Sequence, residues 1–239
     1  MFALADASDI LIKLAVKGGV LLVVGVVCFL WVFCKTKRVL SSFNRAIEAE
    51  DTAAFDALVR KHRKTLCDKE GGIFDVVFDY LLVNNSLSCM KVIFTYASAQ
   101  EWQRVYLAQS PESEGPLWET INCGSVDMLR LLLQQGMKAE AERVSPWLWA
   151  VSCGLVDEAR ILDEFGADTI TPVQQLADKS LEEELMDEDS WQHDRERFIA
   201  TIEYLTARRY PIPQAALARA EEWRECEVKG DVHSDPSGE

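Results

Sequence analysis

Residues 115–136, GPLWETINCGSVDMLRLLLQQG, and residues 145–166, SPWLWAVSCGLVDEARILDEFG, are two copies of one pattern thirty residues apart. Pro116 aligns with Pro146, Cys123 with Cys153, Gly124 with Gly154, Val126-Asp127 with Val156-Asp157, Arg130 with Arg160, Leu132 with Leu162 and Gly136 with Gly166. Self-similarity at such a period marks a repeat architecture, in which each unit buries its apolar face against the next. Within a unit, proline suits the first turn of a helix because the N–H it lacks would have no partner there. A short apolar helix follows, and Gly124 or Gly154 permits the left-handed turn that ends it. The second helix carries Val126, Leu129, Leu132 and Leu133 at helical spacing until Gly136 stops it. The expected unit is a helical hairpin and the expected fold class is all-α.

These residues resemble the ankyrin-repeat family, whose units read TPLHxAxxxG, an apolar second helix ending in LL, and then GAD. Pro116-Leu117, Gly124, Leu132-Leu133 and Gly136 match one unit. Pro146, Ala150, Gly154, Leu162 and Gly166-Ala167-Asp168 match the next, and Thr171-Pro172-Val173 with Leu176-Ala177 opens a third. Weaker copies align at Ser41–His62, with Ala46, Phe55 and Leu58 as core residues, and at Val76–Phe94, with Phe78, Leu81, Leu87, Met90 and Ile93. About five units then cover residues 41–209, the last completed by FIATIEYLTARR. A helix over Gln214–Glu227 caps the array with Arg219, Glu221, Glu222 and Arg224 on its polar outer face. The sequence departs from the family in three ways. The period of thirty shortens the finger loop at Glu140–Val144, Trp118 and Leu148 replace the common histidine, and an acidic insertion at 178–196 splits the unit that begins at Thr171.

Ahead of the array, Gly18–Cys34 reads GGVLLVVGVVCFLWVFC without a charge, and the apolar pattern extends back past Lys17, which can snorkel to the headgroups. The expected span is residues 14–34, after a short segment 1–13, with Trp31 near its basic end. A cleaved signal peptide fits less well, because Trp31-Val32-Phe33-Cys34 offers no small residues for cleavage. Lys35, Lys37 and Arg38, in a basic juxtamembrane segment 35–40, outnumber the flanking cations on the other side and orient the domain at 41–228 towards the cytoplasm. A single-pass protein of a bacterial inner membrane is the expected setting. Residues 229–239, polar and containing Gly, Pro and Ser, are expected to be disordered.

The chain's net charge of −14 combines +4 over residues 1–45 with −18 over the rest. A body that acidic repels phosphates, which argues against a nucleic-acid partner. The seven cysteines show no paired spacing and the three histidines lie far apart, so neither a disulfide framework nor a zinc site is expected. There is no GxSxG, GxxxxGK[ST] or HExxH motif, and DEDS at Asp187 lacks the glycine and glutamate of an EF-hand. The reading is therefore of a non-enzymatic module without a cofactor or small-molecule substrate. Its partner is expected to be a protein with a basic face.

The family resemblance implies that the first helix and finger of each unit line a concave groove. Trp147 matches a core leucine and Trp149 a variable surface position. Trp149 is therefore the candidate anchor, with Glu119 thirty residues earlier on the same face and Glu142 and Arg143 at the finger tip, although two indoles that simply fill the stack account for Trp147 and Trp149 as well. Within the insertion, which carries a net −7, Glu183, Asp187, Glu188 and Asp189 are candidate docking carboxylates, although a solvated loop accounts for them as well. Cys123 and Cys153 read as small packing residues at the end of the first helix. One version of such a module is an immunity protein that neutralises a toxic effector. The other class is a structural or scaffold subunit of a membrane complex.

Overall fold

The computed structural model describes residues 34–68, 72–139, 144–166, 185–186, 191 and 194–230, the last four by their backbone alone. Every regular element among the described residues is a helix. In chain order they are α1 (34–48), α2 (Thr52–Leu66), α3 (Phe74–Val83), α4 (Leu87–Ile93), α5 (Ala99–Gln109), α6 (Pro116–Asn122), α7 (Val126–Gln134), α8 (Pro146–Ser152), α9 (Val156–Glu164), α10 (Arg195–Ala207) and α11 (Gln214–Gly230).

Four hairpins share one turn. Glu50, Asn85, Gly124 and Gly154 join α1 to α2, α3 to α4, α6 to α7 and α8 to α9, with φ of 49°, 47°, 66° and 69°. Each donates its N–H to the carbonyl three residues back, and the following residue donates to the carbonyl five back, as in Asn85 N to Leu82 O at 2.9 Å and Ser86 N to Leu81 O at 3.0 Å. This pattern satisfies the carbonyls that a helix end would otherwise orphan.

Counting from the turn residue, the buried positions repeat as well. Three, four and seven residues before it lie Ile47, Ala46 and Phe43 in the first hairpin, Leu82, Leu81 and Phe78 in the second, Ile121, Thr120 and Leu117 in the third, and Val151, Ala150 and Trp147 in the fourth; all are buried. Five residues after it, Phe55, Met90, Leu129 and Ala159 are each 0% exposed. The weak copies are thus structurally equivalent to the strong ones, and Leu58 and Leu87 pack at the core's edge.

Left-handed backbone costs a side chain with a Cβ about 1 kcal/mol or more, and glycine nothing. Glu50→Gly is therefore expected to stabilise the chain by roughly 0.5–1 kcal/mol after glycine's greater chain entropy is counted. Asn85→Gly should bring no gain, because asparagine tolerates this region and its Oδ1 accepts from Ser125 Oγ at 2.5 Å. Denaturant melts of the two variants check the contrast.

The second helices α2, α4, α7 and α9 pack in succession to form one layer. On the other side α3, α6 and α8 pack in succession, and α10 then lies on α9 and α11 on α10. The initiating prolines Pro116 and Pro146 sit at the first turns expected of them. Ser145 adds an acceptor for Leu148 N at 3.3 Å, so that helix starts at a defined residue.

Five features differ from the sequence reading. The basic segment 35–40 is continuous in α1 with the start of the domain expected at 41, and its Val39 and Leu40 reach the core. Helix α5 had no counterpart in the repeat pattern, yet it packs on α3 and α6 and holds two connections by side-chain amides. Gln109 Oε1 accepts from Phe74 N (2.8 Å) and Asp75 N (3.1 Å), while its Nε2 donates to Leu66 O (2.7 Å) and Asp68 O (2.6 Å). Gly72 leaves room for this amide, which a Cβ there would strike. Gln103, buried, pairs with both backbone groups of Lys138 at 2.9 and 3.1 Å.

The third difference is in the acidic insertion, which is not wholly solvated: Leu185 is 0% and Trp191 3% exposed, and Trp191 lies 5.3 Å from Phe198. Its end, Asp194–Glu196, is the cap and first turn of α10. Fourth, α11 runs to Gly230, so residues 229 and 230 belong to it rather than to the expected tail. Its inner side, Ala216, Ala220 and Trp223, is buried, and the Arg219 guanidinium lies 5.9 Å over the Trp223 ring. Fifth, Cys123 is exposed and Cys153 half-buried, because both occupy the C-cap at the turn rather than the helix interior facing a neighbour.

No helix among the described residues is long and apolar enough to cross a membrane. The expected span, 14–34, lies outside them except for Cys34, and so do segment 1–13 and tail residues 231–239.

Candidate functional site

Five residues before each turn, the first helices present Arg45, Tyr80, Glu119 and Trp149 in equivalent register. Arg45 is exposed and Tyr80, Glu119 and Trp149 are half-buried, Tyr80 and Trp149 packing against the edge of the core, so the four form a partly covered row across α1, α3, α6 and α8. On α3 the row broadens into an apolar stripe, since Val76 and Val83, four residues before and three after Tyr80, are 47% and 73% exposed. Scattered surface apolar residues are ordinary, whereas two exposed valines on one helix face at helical spacing make a local apolar patch.

Trp149, an expected anchor, is half-buried and does not stand alone. Its ring packs on Trp118 of α6 at 5.2 Å between centroids, tilted by 40°, and its Nε1–H donates to Asn122 Oδ1 at 2.7 Å. Trp118, also half-buried, extends the aromatic surface from α8 to α6. Trp147 is buried, as its register implied, and its Nε1–H donates to Tyr204 Oη at 2.9 Å. The Tyr204 hydroxyl donates in turn to Asp163, which also pairs with Arg208; this network ties α8 and α9 to α10. Burial, the largest influence, raises the Asp163 pKa against the lowering effects of Tyr204 and Arg208.

Glu119 is half-buried and accepts from Ser113 Oγ at 2.9 Å. Beside it on α3, Asp79 accepts from Tyr106 Oη at 2.9 Å, and Asp75 accepts from Ser110 Oγ at 2.9 Å. Burial pushes the Asp79 carboxyl up to about 6; the Tyr106 hydroxyl opposes this, and the charges of Glu119 and Asp75 add to it. At the far end of the row, Glu48 of α1 accepts from the Tyr80 hydroxyl. The surface therefore combines aromatic rings with carboxylates, each of the named carboxylates accepting from a hydroxyl. Burial, then Glu119 and Asp79, also raises the pKa of the exposed Cys123 thiol, which keeps it in its unreactive protonated form.

The raised Asp79 pKa carries a stability prediction. Because the folded-state pKa lies above the unfolded one, near 3.8, the folded chain holds this proton more tightly and loses stability as pH rises from about 4 through 6. Asp79→Asn keeps an acceptor for Tyr106 and removes the ionisation. It is expected to gain roughly 1–2 kcal/mol at pH 7.5, a range reduced for solvent screening, and nothing at pH 4. Paired denaturant melts at the two pH values check it, and an equal gain at both would point to packing instead.

Of the other expected site residues, Lys35, Lys37 and Arg38 lie exposed on α1, away from Trp149 in the array. Glu142, Arg143, Glu183, Asp187, Glu188 and Asp189 fall outside the described residues. Sequence reasoning missed Tyr80, Val76, Val83, Asp79 and Trp118. Tyr80 could have been found by aligning the weak copy on its turn, Asn84-Asn85, rather than on its core residues. The burial of Asp79 depends on α5 and had no sequence signal. Among the described residues no group of three His, Cys, Asp or Glu side chains is placed to hold a metal ion, and the described cysteines are all free thiols.

Compared with family models, with curated proteins and with solved structures, the chain has no match in any of the three.

Proposed function

We propose that this chain is a divergent ankyrin-type solenoid, anchored by one N-terminal transmembrane helix, that binds a protein partner and catalyses no reaction. The supporting observation is the row Tyr80, Glu119 and Trp149, half-buried at the edge of the core and widened by exposed Val76 and Val83 and by half-buried Trp118. Recognition by a preformed helical surface spends little ordering entropy, and a tether raises the effective concentration of any partner in the same membrane. The partner presents a basic face. Asp79 and Glu119 supply the local complement, and the −18 of residues 46–239 steers the encounter.

The repeat domain lies on the cytoplasmic side by the excess of Lys35, Lys37 and Arg38. A small anchored acidic binder suits an immunity protein that neutralises a cationic effector at the membrane. The second reading, a scaffold subunit, draws on the same surface and on the apolar residues 14–34.

Purification of the full chain from detergent-solubilised membranes tests the proposal. One stoichiometric basic partner is expected, retained when exposed Asp127 on α7 is changed to alanine and lost with the pair Tyr80→Ala and Trp149→Ala. A partner that survives the double change and is lost when the sequence of 14–34 is scrambled at constant hydrophobicity would move the function to the membrane segment. A partner whose recovery depends on neither would remove the proposed surface.

A further inference from the structure

One cationic feature outside the proposed surface is the outer face of α1. Val39, Leu40, Phe43, Ala46 and Ile47 of this helix turn to the core. At roughly 100° per residue, Lys37, Arg38, Ser41, Ser42 and Arg45 centre on the opposite side. With Cys34 they line a groove of about 440 Å³. The three cations are exposed, with half-buried Ser41 and exposed Ser42 between them; the Ser42 hydroxyl donates to Arg38 O at 2.9 Å. The single carboxylate of α1, Glu48, sits at the far end of this face and is held by the Tyr80 hydroxyl.

The charge is local to this end of the molecule. Residues 34–66, the α1–α2 hairpin, carry +4, whereas residues 67–239 carry −18. His62 of α2 is held below its usual pKa by burial first and then by Lys61 and Lys35, as expected where cations crowd. In the sequence the uncharged stretch Gly18–Cys34 immediately precedes Lys35, so any bilayer holding that stretch lies within a few residues of the first of these cations.

We infer that the outer face of α1, with Lys37, Arg38 and Arg45 around Ser41 and Ser42, docks on the headgroups of anionic lipids and thereby sets how the binding row stands to the bilayer. The inference rests on the anchor reading for its proximity to lipid. Three cations on one rigid helix face match an array of phosphodiester charges, which a zwitterionic surface does not offer in net form. Arg45 belongs both to this face and to the row that continues through Tyr80, Glu119 and Trp149. Docking there would bring the row beside the membrane, within reach of a partner that is itself embedded.

The test uses the full chain in a neutral detergent, titrated with phosphatidylglycerol or phosphatidylcholine and followed by native mass spectrometry. Phosphatidylglycerol is expected to be retained about tenfold better, with the preference falling as salt is raised. The triple variant Lys37→Gln, Arg38→Gln, Arg45→Gln should lose it, while Arg130→Gln with Arg160→Gln, on the second-helix layer, should keep it; circular dichroism confirms that each variant is folded. Equal retention of both lipids, or a preference that survives the triple change, would overturn the inference. Absence of lipid preference together with a concentration-dependent oligomer that the triple variant abolishes would overturn it in favour of docking on the acidic body of a second copy. Alkaline carbonate extraction reads the anchor separately: wild type and triple variant should both stay with the membrane. Extraction of both would defeat the anchor reading while the lipid titration still decides the face.

Discussion

Trp102→Ala is expected to cost roughly 4–5 kcal/mol, enough to remove most of the stability of a domain this size. The indole is 0% exposed and stacks on Phe74 at 4.4 Å with an interplanar angle of 23°. Its Nε1–H donates to Ile93 O at 3.0 Å. It thus joins α5 to the first residue of α3 and the last residue of α4, three segments whose mutual packing no other large side chain of α5 replaces in the same place. Alanine removes the ring's contacts and leaves a cavity whose walls, Phe74 and the helix ends, are tied by the Gln109 amide and cannot easily collapse. Trp102→Phe keeps much of the stack and gives up the donor. It should cost about 1–2 kcal/mol, because Ile93 O retains its bond from Tyr96 N at 3.1 Å. Denaturant midpoints for the pair check this; a loss below about 1.5 kcal/mol for alanine would mean that α5 rests on the surface of the array instead of completing its core.

The second large effect is expected at a glycine. Gly124 and Gly154 occupy the same place in consecutive hairpins, with φ of 66° and 69°. Substitution by alanine incurs the left-handed strain at both, about 1 kcal/mol. A Cβ on Gly124 meets nothing within 4 Å, but one on Gly154 would lie 2.9 Å from Arg197 Cβ and 3.0 Å from the Trp191 ring. Arg197 Cβ is fixed to the backbone of α10, and Trp191 is buried, so neither neighbour can swing aside. Overpacking adds roughly 1–3 kcal/mol, so Gly154→Ala should cost about 2–4 kcal/mol against about 1 for Gly124→Ala. Thermal melts of the two variants side by side check this; equal losses would show that α10 and Trp191 do not close over the fourth turn.

These two expectations show why legibility was uneven. Gly124 and Gly154 were identical in the sequence because the turn they make is local: a left-handed residue and two backbone bonds, written within six residues. Their difference comes from Trp191 and Arg197, more than thirty residues later. The weak copies were legible in their apolar spacing, yet Glu50 and Asn85 hid the turn, since neither is the residue that sterics favour there. Helix α5 went unread because its apolar residues, Trp102, Val105 and Tyr106, follow no repeat register and its glutamines bond to backbone rather than to a partner in sequence. Leu185 and Trp191 went unread for a similar reason, being apolar residues within a run of carboxylates.

The candidate site divides in the same way. Trp149 and Glu119 were placed on one face by their common register alone. The pairing of Trp149 with Trp118, the exposure of Val76 and Val83 beside half-buried Tyr80, and the burial that raises the Asp79 pKa all depend on which helices meet.

From the residues themselves come the helical hairpins, their capping prolines and left-handed turns, and the opposition of a basic first hairpin to an acidic remainder, because periodicity, capping and charge are properties of a few neighbouring residues. The tertiary arrangement alone decided which of those faces remain uncovered, which carboxylates sit partly dry, and where a glycine has no room for a methyl group. Those outcomes depend on desolvation and close contact between segments thirty or more residues apart, and no local pattern encodes a contact that exists only once both segments are packed.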